Sequence, residues 1–206
     1  DIPSTKLCLL RALRRGHHQP AARSVRYLVA PGICYRPTNN KFNCKISRFS
    51  RKNTESLARR LSGDGVKALP YHAGLDPEVR RSTHESFVRD QVSVIVATIA
   101  FGMGIDKPDI RLVVHYDMPK SVEGYYQETG RAGRDGLHSE CVFFYSQADR
   151  IKHDFFIKKL ENDTERDNAR RKLADVVELC ELRTCRRRFL LGYFGEEFVA
   201  EDCGGC

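Results

Sequence analysis

Val92-Ser-Val-Ile-Val-Ala-Thr98 and Ile110-Arg-Leu-Val-Val-His-Tyr116 are near-continuous apolar runs. A strand with one face in water alternates apolar and polar residues; a strand covered on both faces by helices does not need to. The two runs therefore predict the central strands of a parallel sheet. Moving outward, Val66–His72 reads as a third strand and its exit, and Cys141–Tyr145 as a last one. Between them lie helical patterns. Asn53 or Thr54 is positioned to cap a helix that carries Leu57, Ala58 and Leu61 on one face and ends near Gly63 and Gly65. Asp76-Pro77 opens a second, in which Val79, Thr83 and Phe87 recur every four residues, and Pro119 and Ser121 open a third that runs to about Thr129. Strands alternating with helices give an α/β fold.

The pattern changes at both ends. After Gln147 only charged helical segments follow, with Ile151, Phe155 and Leu160 and then Leu173, Val176, Val177 and Cys180 as their apolar positions, so a boundary is expected near residue 150. Ser24–Ala30 suits an isolated strand. Between Pro31 and Phe49 the residues Pro31, Pro37, Asn39 and Asn40 break any period, and no buried strand is visible there. The expected division is a segment 1–47, an α/β lobe 48–150 and a helical subdomain 151–206.

The composition, 41% hydrophobic and 30% charged over 206 residues, is that of a globular chain with one core or one core plus a helical appendage. It begins with Asp1 and reads as an excerpt of a longer protein. The net charge of +8 invites a nucleic-acid partner, but residues 1–53 hold twelve Lys and Arg against one acid, which leaves the remainder at −3. That Arg-rich opening also has the composition of a transit peptide. There is no run of ~18 apolar residues such as a membrane-spanning helix needs. Eight cysteines at irregular spacing, without a secretion signal, favour reduced thiols or metal ligands over disulfides.

Three stretches carry chemistry. Gln127-Glu-Thr-Gly-Arg131-Ala-Gly-Arg134-Asp-Gly136 sets two arginines three apart at a helix end, where guanidinium forks suit a phosphate that gains charge in a transition state. A surface helix end capped by glycines is the plainer alternative. Thr98-Ile-Ala-Phe-Gly102-Met-Gly104-Ile-Asp106-Lys-Pro108 leaves a buried strand at the carboxyl edge of the sheet, the side on which such folds bind ligands. Cys185, Cys203 and Cys206 form C-x17-C-x2-C, three-quarters of a zinc site, whereas Cys180 falls on a helix and reads as a core thiol. No G-x-x-x-x-G-K-[ST] phosphate loop is present.

Taken in order with Tyr71-His72-Ala73-Gly74-Leu75 and with Thr184–Glu196, these motifs resemble the RecQ family of ATP-dependent DNA helicases over about residues 48–206. The resemblance implies a RecA-like parallel sheet flanked by helices, followed by a small, incomplete helical zinc-binding subdomain. It implies that Arg134 is the arginine finger for ATP held, with Mg2+, on a first RecA-like lobe of the same parent chain, and that Arg131 and Gln127 support that interface. Gly104 and Asp106 would couple nucleotide state to DNA grip. His72, Thr98, Ser50 and Arg51 would touch the backbone of single-stranded DNA, with duplex DNA the other partner, although His72 suits a structural histidine equally well. The fourth zinc ligand would follow three residues after Cys206. Unwinding would run 3′ to 5′, with no membrane partner and a nuclear location in a eukaryote or a cytoplasmic, nucleoid one otherwise; the 206 residues alone would be inactive. An RNA helicase of the DEAD/DExH type and a non-catalytic DNA-binding product are the competing readings.

Overall fold

The computed structural model describes residue 13, the strand 26–30, residues 42–98, 107–201 and 203–204. The elements are β1 (Arg26–Ala30), β2 (Asn43–Ser47), α1 (Arg51–Gly63), β3 (Ala68–Tyr71), α2 (Pro77–Val88), β4 (Val94–Ala97), β5 (Ile110–His115), α3 (Val122–Thr129), β6 (Glu140–Tyr145), α4 (Gln147–Ile157), α5 (Asp163–Glu181) and α6 (Arg186–Tyr193). The strands form one sheet in the order β1-β6-β5-β2-β4-β3. β1 joins β6 antiparallel at the edge, and every other pairing is parallel.

The two apolar runs sit where they were expected, one on each side of β2. Alternate residues of β4 enter different cores: Val94 and Val96 pack with Leu57, Ala58 and Leu61 of α1, while Ile95 and Ala97 pack with Phe87 of α2. Both faces of the sheet are thus covered, which is why the run has no polar alternation.

β2 corrects the sequence reading. A buried strand does exist between Pro31 and Phe49: it is Asn43-Cys-Lys-Ile-Ser47, all five residues are buried, and it is the central strand between β4 and β5. It escapes notice because Asn43 and Lys45 are polar. Their partners come from far along the chain: Asn43 Nδ2 donates to Asp90 Oδ1 and to Asp109 Oδ2, each at 3.0 Å, and Lys45 Nζ lies 3.0 Å from Glu128 Oε2.

Helix starts follow local chemistry. Asp76 accepts from the Glu78 backbone N–H with Pro77 in the first turn, and Ser121 accepts from Gly124 N–H. α1 begins earlier than expected. Its cap is Ser50, whose Oγ accepts from Asn53 N–H, and Thr54 lies buried inside the helix. A second correction concerns α4, which turns Asp149 and Ile157 inward and leaves Ile151 and Phe155 exposed. Cys180 is a core thiol as expected, and burial pushes its pKa up. None of the described helices is long and apolar enough to cross a membrane.

Candidate functional site

The arginine segment is a built turn. α3 ends at Thr129, and the chain then passes through a turn in which Gly133 adopts φ +62°. A Cβ there would lie 2.6 Å from the Leu137 carbonyl oxygen, so only glycine fits. Gly133 N–H donates to the Ile110 carbonyl at 3.0 Å, and Asp135 N–H to that of Pro108 at 3.3 Å. Arg111 clamps the far side, reaching Asp135 Oδ1 at 2.5 Å and the His138 carbonyl at 3.0 Å. Of the two arginines, Arg131 is 6% exposed and Arg134 stands in solvent, its Nε donating to the Gly130 carbonyl at 3.1 Å. Gln127 is exposed as well.

Beneath the turn lies a charged cluster that the sequence reading missed. Buried Glu128 accepts from Lys45 Nζ at 3.0 Å, has His115 Nε2 at 3.4 Å, and shares a short hydrogen bond with Ser47 Oγ. Burial by itself would raise the Glu128 pKa. His115, Lys45 and Ser47 outweigh it and hold the carboxyl well below the ordinary range. Burial works against the Lys45 charge, and Glu128 opposes that loss. Arg131 feels burial first and the Arg134 charge second, with Glu128 compensating; as a guanidinium it remains a cation. Glu128 lies within Gln127–Gly136 and Lys45 in a stretch without a period, and local spacing marks neither as buried.

The remaining candidates lie at the opposite edge of the sheet. Pro108 and Ile110 stand at the start of β5, whereas Ser50 and Arg51 follow β2, His72 follows β3 and Thr98 follows β4, all in parallel. Arg51 is exposed and drapes over Gly74: a Cβ on Gly74 would lie 2.8 Å from its Nη1. Thr98 is half-buried and its N–H donates to the Tyr71 carbonyl. His72 turns inward instead, 2% exposed, with Nε2 3.0 Å from Glu55 Oε1. That placement suits the structural reading of His72. Gly104 and Asp106 lie outside the described residues.

Cys185 is buried at the start of α6. Cys203 is half-buried, and Cys206 lies outside the described residues. Among the described residues no group of three metal-binding side chains converges.

Residues 33–136 match the helicase conserved C-terminal domain, and residues 147–206 match the RecQ zinc-binding family. The ATP-dependent DNA helicase RecQ of Bacillus subtilis is 45% identical over 157 residues, covering 76% of this chain and 26% of the relative. The ATP-dependent DNA helicase hus2/rqh1 of Schizosaccharomyces pombe is 46% identical over 162 residues, covering 77% and 12%. The chain thus spans about a quarter or less of these relatives. In fold it is similar to the Escherichia coli DEAD-box protein SrmB, with a TM-score of 0.52 at 19% identity, over 77% of this chain and 82% of that one.

Proposed function

Because this chain belongs to the RecQ family of helicases, we propose that it forms the second motor lobe of an ATP-dependent DNA helicase, with Arg134 reaching an ATP held mainly on a first lobe of the same polypeptide. The observation that carries this reading is the build of the arginine turn. Arg134 is exposed and ready for a partner surface, while the turn beneath it is fastened to β5 at Pro108 and Ile110 and clamped by Arg111. A guanidinium held this way meets the charge that grows on the transferred phosphoryl group, an effect of ~10³ or more in such enzymes. Arg131 and Gln127 support the same interface. Mg2+ would accompany the nucleotide on the first lobe and offset phosphate charge there.

At the other edge of the sheet, Ser50, Arg51 and Thr98 grip the backbone of single-stranded DNA, and Gly104 and Asp106 couple the nucleotide state to that grip. Alternate gripping by two lobes as the cleft opens and closes drives movement in the 3′-to-5′ direction along that strand. Cys185, Cys203 and Cys206 supply three thiolates of a structural zinc site, with a fourth from outside these residues. Zinc there would fasten the helical subdomain to the turn before α6.

Arg134→Ala in a polypeptide holding both lobes tests the reading. ATP hydrolysis should fall a hundredfold or more while ATP binding persists; unchanged turnover removes Arg134 from the role. A relative from Acanthamoeba polyphaga mimivirus, 45% identical over 158 residues and named a putative ATP-dependent RNA helicase, keeps an RNA helicase as the second reading. Faster unwinding of RNA than of DNA duplexes would favour it.

A further inference from the structure

A groove of about 550 Å³ lies at the carboxyl edge of the sheet, outside the residues assigned above except Ser50. Phe49 and Ser50 line it from the end of β2, Met118 from the end of β5, and Ile151, Phe155 and Phe156 from α4. β2 and β5 are neighbours, but the chain leaves β2 toward β3 on one side and leaves β5 toward β6 on the other. Open α/β sheets bind ligands in the crevice formed at such a reversal.

The walls of the groove are apolar and open to solvent: Ile151 is 67% exposed, Phe155 56%, Phe156 50% and Phe49 39%. Phe49 and Phe156 lie 5.5 Å apart between ring centres, and Phe155 and Phe156 5.8 Å. The charge around them is unbalanced. Asp117 is occupied by Arg48 and by the Phe49 N–H, and Asp149 by Ser146 and Lys152. Lys120 and Lys159 meet no carboxylate among the described residues; their ammonium groups stand over rings instead, 5.5 Å from the centre of Phe49 and 4.2 Å from that of Phe155.

Exposed rings flanked by spare ammonium groups match a ligand that carries flat bases on an anionic backbone. Protein-binding surfaces are depleted of lysine, whereas single-strand surfaces combine cations for phosphates with rings for bases. The position agrees. In the sheet order β3-β4-β2-β5, Thr98 follows β4, Ser50 and Arg51 follow β2, and the groove comes next beside β5.

We propose that this groove is a base-stacking site for single-stranded nucleic acid: bases lie on Phe49, Phe155 and Phe156, and Lys120 and Lys159 swing from the rings to the phosphates. It rests on the reading of Ser50, Arg51 and Thr98 as strand contacts and lengthens their path as far as α4.

The test is fluorescence anisotropy of the full chain with labelled oligo-dT at low salt, beside an abasic strand of equal length and free dTMP. The variants are Phe155→Ala/Phe156→Ala, Lys159→Glu and Arg51→Ala; all four side chains are exposed, so folding is checked by an unchanged melting curve. The double phenylalanine variant should weaken oligo-dT binding roughly fivefold or more and leave the abasic strand unaffected. Lys159→Glu should weaken both strands. Free dTMP should bind far more weakly than the strand; dTMP binding as tight as oligo-dT would make this a mononucleotide pocket and overturn the proposal. If the phenylalanine variant binds oligo-dT like the unaltered chain while Arg51→Ala does not, the path ends at Ser50 and the groove plays no part. If the unaltered chain binds no strand at all, the strand contacts and the groove fall together.

Discussion

Lys45 and Glu128 are 83 residues apart in sequence and joined in the core. A buried charge left without its partner is costly, about 3 kcal/mol or more, whereas an apolar pair of similar size in the same place is often tolerated. Lys45→Met should therefore destabilise the chain by roughly 3 kcal/mol in urea unfolding, and Lys45→Met/Glu128→Met should recover much of the loss. A double variant no more stable than the single would mean that the cluster matters through shape rather than charge. The same cluster sets a pH dependence. The folded carboxyl of Glu128 has its pKa held down by His115, Lys45 and Ser47, so its stabilisation is present above the unfolded value of about 4.3 and is lost as pH falls below it. Melting temperatures measured from pH 7 to pH 3 should drop less steeply for Glu128→Gln. Gly133 carries a different constraint: a methyl group there meets Leu137 and Ser139 at 2.6 Å on a left-handed backbone. Gly133→Ala should displace the arginine turn and cut ATP hydrolysis by the two-lobed polypeptide even where melting shows the lobe still folded.

At the scale of elements, β2 shows how a central strand can be hidden. Its apolar residues are only Cys44 and Ile46, and the polar residues between them become acceptable once Asp90, Asp109 and Glu128 are brought alongside. Ile46 is fully buried among Leu57, Val94 and Val114, and Ile46→Ala should cost roughly 3 kcal/mol. A loss under 1 kcal/mol would argue against β2 at the centre of the sheet. α1 and the turn after β3 form a second unit, because Arg51 at the start of the helix rests on Gly74. Gly74→Ala should leave the melting temperature nearly unchanged, since a flexible side chain can move aside, yet weaken oligonucleotide binding by displacing Arg51. Binding equal to that of the unaltered chain would free Arg51 from the strand contact.

At the scale of the whole molecule, the helices after β6 are not a separate body. Met118, Val122, Tyr125 and Phe143 of the α/β lobe share one core with Ile157, Leu173, Val176, Leu179 and Cys180, and Tyr145 Oη donates to Glu181 Oε1 at 2.9 Å. The change of pattern near residue 150 marks where strands stop, and packing continues across it. Leu179→Ala, at a fully buried position, should therefore lower a single thermal transition seen alike by backbone circular dichroism and tyrosine fluorescence. Two separate transitions would show that the lobe and the helices fold apart.

The sequence alone determined that helices follow the strands, the flanking strands β4 and β5 and the place of the two arginines after α3, because each rests on neighbours within a few residues: a capping oxygen, an apolar run, a glycine between two arginines. It also marked Cys180 as a core thiol and placed the arginine segment at the end of α3. Only the tertiary structure decided that Asn43–Ser47 is the middle of the sheet, that His72 faces Glu55 rather than solvent, and that Phe155 and Ile151 lie open beside Phe49. Those outcomes depend on which distant side chain arrives to satisfy a charge or cover a ring, and local spacing holds no record of a partner that lies 83 residues away.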